Sequence, residues 1–251
     1  ALGDMACHIL HPVFSRLNLG YPTRVQGSST LLLQDCAPNA QHVKLVFPAR
    51  DNMPKVAMPE VEVHWYDGGM MPDRPEGFPQ GKELMGEGGG LCIFHGTKDT
   101  LICGCYGVNP WLLSGRKPNV PQTLRRVKDA MKGGHEQDWI RACKESAGSR
   151  VQTKSNFLEA GPFNEMVVMG VLAVRLQRLN KELLWDGPNM RFTNIDPNET
   201  IKIIKKDTFE VIDGDPKFKT EWTDPINAQE FAAGLIKHNY REGWKLVDMP
   251  R

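Results

Sequence analysis

The first eleven residues bring together side chains that could do acid–base or metal chemistry. Asp4, His8 and His11 lie within the segment LGDMACHILHP, and residues three or four positions apart share one face of a helix. A carboxylate beside an imidazole fixes the orientation and tautomer of the ring and favours its protonated form. Such a histidine can take a proton from an alcohol and return it. The spacing alone leaves two alternatives open: a set of three metal ligands, or a capping aspartate with a hydrogen-bonded histidine.

No second catalytic or phosphate-binding motif competes with this segment. The stretch GEGGG at residues 86–90 does not match GxGxxG, and it precedes a predicted strand rather than a helix. The sequence contains neither GxxxxGK[ST] nor GxSxG. The six cysteines form no CxxC pair. We therefore expect ordinary buried thiols and no structural zinc site.

The composition is that of a globular protein with a substantial core. The chain has 251 residues, of which 40% are hydrophobic and 24% are charged. Its longest apolar run, residues 166–174, is well below the roughly 20 residues of a membrane helix. A net charge of +1 gives no reason to expect a nucleic-acid partner. The basic stretch at residues 115–154 fits a solvated surface, with an anion site as the alternative.

Hydrophobic periodicity predicts both helices and strands. Strands are expected at residues 25–33, 42–49 and 61–67, with a hairpin over residues 90–107. Helices are expected at residues 5–19, 135–146, 161–180 and 227–239. The second helix has Trp139, Ile140 and Cys143 as its apolar stripe, and Gly170 marks close packing in the third. The glycine-rich loop at residues 67–90 is long enough to suggest a function.

The segment GDMACHILHP resembles the D-x-G-x-H-x-x-D signature that opens the C-terminal domain of Gfo/Idh/MocA oxidoreductases, the relatives of glucose–fructose oxidoreductase and inositol dehydrogenase. Two positions depart from the signature: Ala6 replaces a glycine, and His11 replaces the final aspartate. Further stretches resemble a branch common among sugar-degrading bacteria and cover most of the chain in order: VHWYDGG…PDRPE (63–76), HEQDWIRACK (135–144), SNFLEAGPFNEMVVMGVLAVR (155–175), LLWDGPNMRFTN (183–194) and YREGWKL (240–246).

The resemblance implies an α+β fold, in which a large, mainly antiparallel open β-sheet has helices packed on one face. The C-terminal domains of glyceraldehyde-3-phosphate dehydrogenase and dihydrodipicolinate reductase have this fold. Residues 1–251 are then expected to form the substrate-binding and oligomerisation domain of a truncated two-domain oxidoreductase. The start without a methionine predicts an interior cut in a longer protein, with a processed terminus as the alternative. The absent N-terminal Rossmann domain would bind NAD or NADP and supply a lysine in an E-K-P motif, which does not occur here.

The resemblance also implies a function, oxidation or reduction of a sugar or polyol hydroxyl. Asp4 and His8 match the catalytic aspartate and histidine, with His8 in proton transfer, and the fragment alone is expected to be inactive. Homo-oligomers are expected through the open sheet face, with no metal, nucleic acid or membrane involved. The compartment, cytoplasmic or periplasmic, is left open. Alternatives are an NAD-dependent glycosidase of the same family and a non-catalytic sugar-binding or oligomerisation domain. The expected substrate-binding residues are His11, Trp65, Tyr66, Asp67, Arg74 and His135.

Some of these substrate contacts also have a simpler structural explanation. Aromatic and carboxylate side chains suit the apolar faces and hydroxyls of a sugar, but Trp65, Tyr66, Asp67 and Arg74 could equally serve loop packing. For His135, which begins a helix, capping of that helix is favoured over a substrate contact.

Overall fold

A computed structural model describes residues 2–51, 58–84, 89–121, 127–129, 132–237 and 240–245. About 27% of the chain is helix and 27% is strand, and the sheets are antiparallel, so the expected α+β class is confirmed. The chain divides into two compact units. Unit 1 comprises Ala1–Cys7, Asn18–Asp73 and Met166–Arg251, and unit 2 comprises His8–Leu17 and Arg74–Glu165.

The predicted helices and strands are confirmed, with boundaries that shift by a few residues. The helices are α1 (Leu2–Arg16), α2 (Gly134–Lys144), α3 (Phe157–Arg175) and α4 (Ala228–Ile236). The first eight strands are β1 (Arg24–Ser29), β2 (Gln41–Phe47), β3 (Val61–Tyr66), β4 (Leu91–His95), β5 (Thr100–Gly104), β6 (Trp111–Leu112), β7 (Leu183–Asp186) and β8 (Arg191–Phe192). The last four are β9 (Thr200–Ile201), β10 (Ile204–Ile212), β11 (Asp215–Trp222) and β12 (Ile226–Asn227).

Unit 1 is built on a five-stranded antiparallel sheet in the order β3-β2-β1-β7-β8. Val25, Leu45 and Val63 lie opposite one another in its register, and all three are buried. The C-terminal part of α3 covers this face. Gly170 is confirmed as a close-packing position, because a Cβ there would lie 2.8 Å from Leu2 and 3.4 Å from Val43.

Helix α3 has the length and apolar composition of a membrane span. A buried core helix has the same properties, however, and residues of α3 such as Met166, Met169 and Val174 are buried within unit 1. Arg175 ends the helix, and its guanidinium donates to the carbonyl oxygens of Leu33, Gln34 and Cys36. These three bonds attach the loop after β1 to the end of α3.

The opposite face of the five-stranded sheet is polar. Glu182 accepts from Lys44 at 2.9 Å and lies 3.1 Å from Arg24, and the hydrogen bond from the Lys44 ammonium raises the pKa of that lysine. Gln26 and His42 are half-buried on the same face, and His64 is exposed there. An oligomer contact on this face would therefore be mainly polar.

Unit 2 contains a three-stranded antiparallel sheet in the order β4-β5-β6. Asp99 closes the β4–β5 turn by accepting from the Thr100 and Ser114 backbone amides. Phe78 and Leu84, both from the glycine-rich loop, pack with Ile102 in a small core. The loop is therefore folded against the sheet at Phe78 and Leu84, while residues 85–88 lie outside the described residues.

The predicted apolar stripe of α2 is wrong. Trp139 is 64% exposed and Cys143 is also exposed, whereas Asp138 and Ala142 are buried. The Asp138 carboxylate accepts from Arg141 and from the Lys154 backbone amide. These hydrogen bonds offset the free-energy cost of burying the Asp138 carboxylate. Its neighbour Trp139 faces solvent instead.

Candidate functional site

His8 and His11 lie on the part of α1 that belongs to unit 2, and both rings have specific neighbours there. The His8 ring meets the Tyr106 ring edge-on, with centroids 5.4 Å apart. His11 Nε2 lies 3.3 Å from Glu159 Oε1. The His11 ring also meets the Phe163 ring edge-on at 5.3 Å. We call these five residues the histidine cluster. Both histidines are half-buried, so their rings are supported on one side and open on the other.

Contacts with β4, with Gly90 just before it and with the turn after β5 position this part of α1. The Cys92 thiol donates to the Ile9 carbonyl oxygen at 3.0 Å. Gly90 allows the approach, because a Cβ at that position would overlap the Ile9 side chain. Gly107, at a φ of +73°, lies against the Pro12 ring. The end of the glycine run at residues 86–90 therefore serves helix packing.

Tyr106 has an unusual backbone conformation. It occupies the short 3-10 turn Cys105–Gly107 with φ 60° and ψ 11°, a left-handed conformation that costs a non-glycine residue about 1–2 kcal/mol. Its side chain is 63% exposed and is still held against His8. Strain of this kind is often kept where a side chain has a functional position.

Asp4 lies in the first turn of α1 and is exposed. Its carboxylate is favourable there because the helix N-terminus carries partial positive charge. Among the described residues it has no hydrogen-bond or ion-pair partner. Within the histidine cluster, the carboxylate that meets an imidazole is that of Glu159, a residue that the sequence did not indicate. Glu159 lies in a segment matched by the resemblance, but no local spacing relates it to α1, so the catalytic role of Asp4 stays a prediction.

The three-ligand metal alternative has no assembled site in the described part of the chain. No group of three or more His, Cys, Asp or Glu side chains there could hold a metal ion. His11 faces Glu159, and His8 faces an aromatic ring.

Trp65 and Asp67 lie together, as predicted for a substrate site. The hydrogen bonds of the Asp67 carboxylate, however, join neighbouring strands of the sheet. The Asp67 carboxylate accepts from the Trp65 indole at 2.7 Å and from the side chain and backbone amide of Gln41 at 2.9 and 3.0 Å. Trp65 and Gln41 are each only 4% exposed. A sugar hydroxyl at Asp67 would have to compete with three existing donors, and the predicted substrate contact stays a prediction.

Tyr66 belongs to an aromatic stack on the polar face of the sheet. The His42 ring stacks on Tyr66 with centroids 4.5 Å apart and on His64 at 5.3 Å. His42 Nε2 lies 3.0 Å from His64 Nδ1. Burial lowers the pKa of His42, and the neighbouring His64 and Lys44 lower it further.

We expect the stability of unit 1 to fall as the pH drops below about 6.5, the ordinary pKa of histidine. Because the folded-state pKa of His42 is lowered, the unfolded chain binds its proton first, and stability rises with pH between the two pKa values. Urea denaturation at about pH 5.5 and 7.5 should show a smaller pH effect in His42→Gln than in the wild type. The matched control is His95→Gln, at an exposed strand end. Equal pH effects in the two variants would contradict the assignment to His42.

Arg74 and His135 have no contact with the histidine cluster among the described interactions. Arg74 donates to the carbonyl oxygens of Pro79 and Lys82 and lies 5.0 Å from the centre of the Phe78 ring. His135 is exposed in the first turn of α2. The alternative that it caps the helix is wrong, because Gly133 is the N-cap residue.

One cleft in unit 1 has a volume of about 350 Å³. It is lined by Ser29–Leu32, Gln177, Arg178, Asn180 and Ile204. Gln177 and Ser29 are bonded to each other in the lining of this cleft. The Gln177 side chain accepts from the Ser29 backbone amide and donates to the Ser29 hydroxyl. None of the predicted site residues lines this cleft, so it does not identify the predicted site.

Comparison with protein-family models finds no match for this chain. Comparison with curated proteins also finds no match.

Proposed function

We propose that the chain is the substrate domain of an NAD(P)-dependent oxidoreductase of the Gfo/Idh/MocA type, acting on a sugar or polyol hydroxyl. The proposal starts from the resemblance of residues 3–12 and of the later stretches that follow in order. It includes the finer fold, a domain like the C-terminal domains of glyceraldehyde-3-phosphate dehydrogenase and dihydrodipicolinate reductase. The observation that supports it most is that His8 and His11 lie together, half-buried, beside Tyr106 and Glu159.

In this proposal His8 accepts the proton of the substrate hydroxyl. Imidazole is suited to this step because it exchanges protons near neutral pH. The edge-on contact with Tyr106 limits rotation of the His8 ring and leaves its other side open to a ligand. Tyr106, exposed and held in a left-handed conformation, would offer the ring face on which the apolar side of a sugar packs.

Glu159 would supply the carboxylate that is missing where His11 replaces the aspartate of the signature. The Glu159 carboxylate lies within 3.3 Å of His11 Nε2 and therefore orients that ring. The pair presents one acceptor and one donor, as recognition of neighbouring hydroxyls requires. We assign Glu159 and His11 to positioning and substrate binding rather than to proton transfer.

The described residues do not provide a dinucleotide site. The glycine-rich stretch 86–90 leads into strand β4, whereas a pyrophosphate site needs a helix N-terminus after its glycines. The proposal therefore places NAD or NADP mainly on a Rossmann domain that this chain does not contain. Redox chemistry belongs to that cofactor, and the part of this chain is to bind the substrate and hold its proton. Assembly into homo-oligomers through the polar open face of the five-stranded sheet remains part of the proposal.

Titration of the chain with polyols and simple sugars, followed by NMR of the imidazole resonances, tests the proposal directly. We expect the His8 and His11 signals to shift together, because a ligand in the histidine cluster would contact both rings. The signal of His95, at the exposed end of β4, serves as the control and should not move. Assignment by His8→Asn and His11→Asn separates the signals.

Two results would count against the proposal. Shifts confined to His42 and His64 would place the sugar site on the polar sheet face. Tight binding of NADH to this chain alone would contradict the placement of the cofactor on another domain.

A further inference from the structure

The two-stranded sheet of β10 and β11 has an apolar face that no described residue covers. Phe209 pairs with Phe218, and Val211 pairs with Pro216, so these four side chains share one face. Phe209, Val211 and Phe218 are 58%, 62% and 76% exposed. The two phenylalanine rings pack against each other, with centroids 5.1 Å apart. A lone hairpin is marginally stable in water, whereas three or more strands with a hydrophobic face can be stable, so we expect further strands to pair beside this hairpin in the working protein.

The two edges of this hairpin differ. Asp213 and Gly214 form its two-residue turn and both have positive φ, as a type I′ turn requires. In such a hairpin the two residues next to the turn, here Ile212 and Asp215, are hydrogen-bonded to each other. Every second residue from them directs its backbone N–H and C=O groups away from the partner strand, toward the free edge. On β11 the first outward position is Pro216, which has no N–H and protects that edge. On β10 the outward residues are Asp207, Phe209 and Val211, and no described residue accepts from their N–H groups, although Gln34 donates to the Ile204 carbonyl oxygen at the start of the strand.

The sequence of β10 is complementary to itself in one antiparallel register. When two β10 strands pair about Thr208, Lys206 of each copy faces Glu210 of the other on the polar face. Asp207 then faces Phe209, and these two residues are outward-facing, hydrogen-bonding positions. Neither Lys206 nor Glu210 forms an ion pair within the described part of its own chain.

The neighbouring registers are less favourable. A register centred on Asp207 would bring two carboxylates together, which is destabilising for residues directly opposite each other. A register centred on Phe209 would place Glu210 against Thr208 and lose both Lys–Glu pairs. The charges therefore select the register centred on Thr208.

We propose that β10 pairs with β10 of a second copy of this chain, in the register centred on Thr208. The two hairpins form a continuous four-stranded antiparallel sheet. On its apolar face Phe209 of each copy lies opposite Asp207 of the other copy and beside Phe218 of its own chain, and the four Lys206 and Glu210 side chains pair on the other face. This contact is separate from the open face of the five-stranded sheet and does not depend on the proposed function.

Charge reversal tests the register. Lys206→Glu alone and Glu210→Lys alone should each weaken the dimer about tenfold, because each creates two like-charge pairs across the two-fold axis. The double variant should recover the wild-type dissociation constant in sedimentation equilibrium. Lys98→Glu is the matched control, since it reverses a charge at an exposed position between β4 and β5, outside the hairpin, and should leave the constant unchanged. A wild-type chain that is monomeric at all concentrations, or a double variant no tighter than the single ones, would overturn the proposal.

Cross-linking tests the same register independently. Two facing Thr208 residues would form a non-hydrogen-bonded pair with Cα atoms about 4.5 Å apart, within the range of a disulfide. In a background of Cys36→Ser and Cys143→Ser, which removes the two exposed thiols, Thr208→Cys should give a covalent dimer on mild oxidation. Thr220→Cys on β11 is the control and should not. Equal rates of cross-linking by the two variants would place the contact elsewhere.

Discussion

Replacing His8 by Asn is expected to lower kcat by about 10²- to 10⁴-fold in a two-domain protein that joins this chain to a dinucleotide-binding Rossmann domain. This is the range that general acid–base groups contribute. Asn keeps a polar amide of similar reach but cannot exchange a proton near neutral pH. Since the described contact of His8 is one ring packing on Tyr106, the variant should fold normally. Steady-state kinetics with the preferred polyol, together with the pH profile of kcat, would measure the effect.

The pH profile separates a chemical role from a structural one. If His8 transfers the proton, His8→Asn loses the limb of the profile that histidine titration produces in the wild type. His95→Asn is the control, because His95 is exposed at the end of β4 and outside the histidine cluster. A fall in kcat of less than about tenfold with an unchanged pH profile would assign the proton transfer to another residue.

Gly27→Ala is expected to destabilise the protein by about 3 kcal/mol, at the upper end of the usual cost of overpacking. Gly27 lies in the centre of β1, where the backbone of α3 passes over the sheet. A Cβ there would lie 2.6 Å from the Val174 amide nitrogen and 2.8 Å from the Ala173 carbonyl carbon. Both are backbone atoms of a buried helix, so no side-chain rotation can relieve the overlap. Urea denaturation at neutral pH would measure the loss.

Gly234→Ala makes the same chemical change but is expected to stabilise the protein. Gly234 is exposed in α4, and a Cβ there would meet no atom within 4 Å. Alanine should stabilise the protein by up to about 1 kcal/mol through its higher helix propensity. If both variants proved equally stable, the approach of α3 to β1 would be looser than the structure has it.

The sequence by itself predicted the elements whose formation depends on neighbouring residues. The alternation of Val61, Val63 and Trp65 predicted β3, because successive strand residues face opposite sides of a sheet. The start of α4 is also local, since asparagine favours the position before a helix and the Asn227 side chain accepts from the Glu230 amide three positions later. These signals act over two to four residues and can be read from a single stretch of chain.

Only the tertiary structure decided which side chains meet between elements. The carboxylate that meets a histidine on α1 is that of Glu159, which pairs with His11, and not that of Asp4. On α2, Trp139 is exposed and Asp138 is buried. Asp67, expected at a sugar, is bound by Gln41 and Trp65. The physical reason is that such contacts depend on how helices and strands pack, and packing brings together residues whose separation along the chain carries no periodic signal.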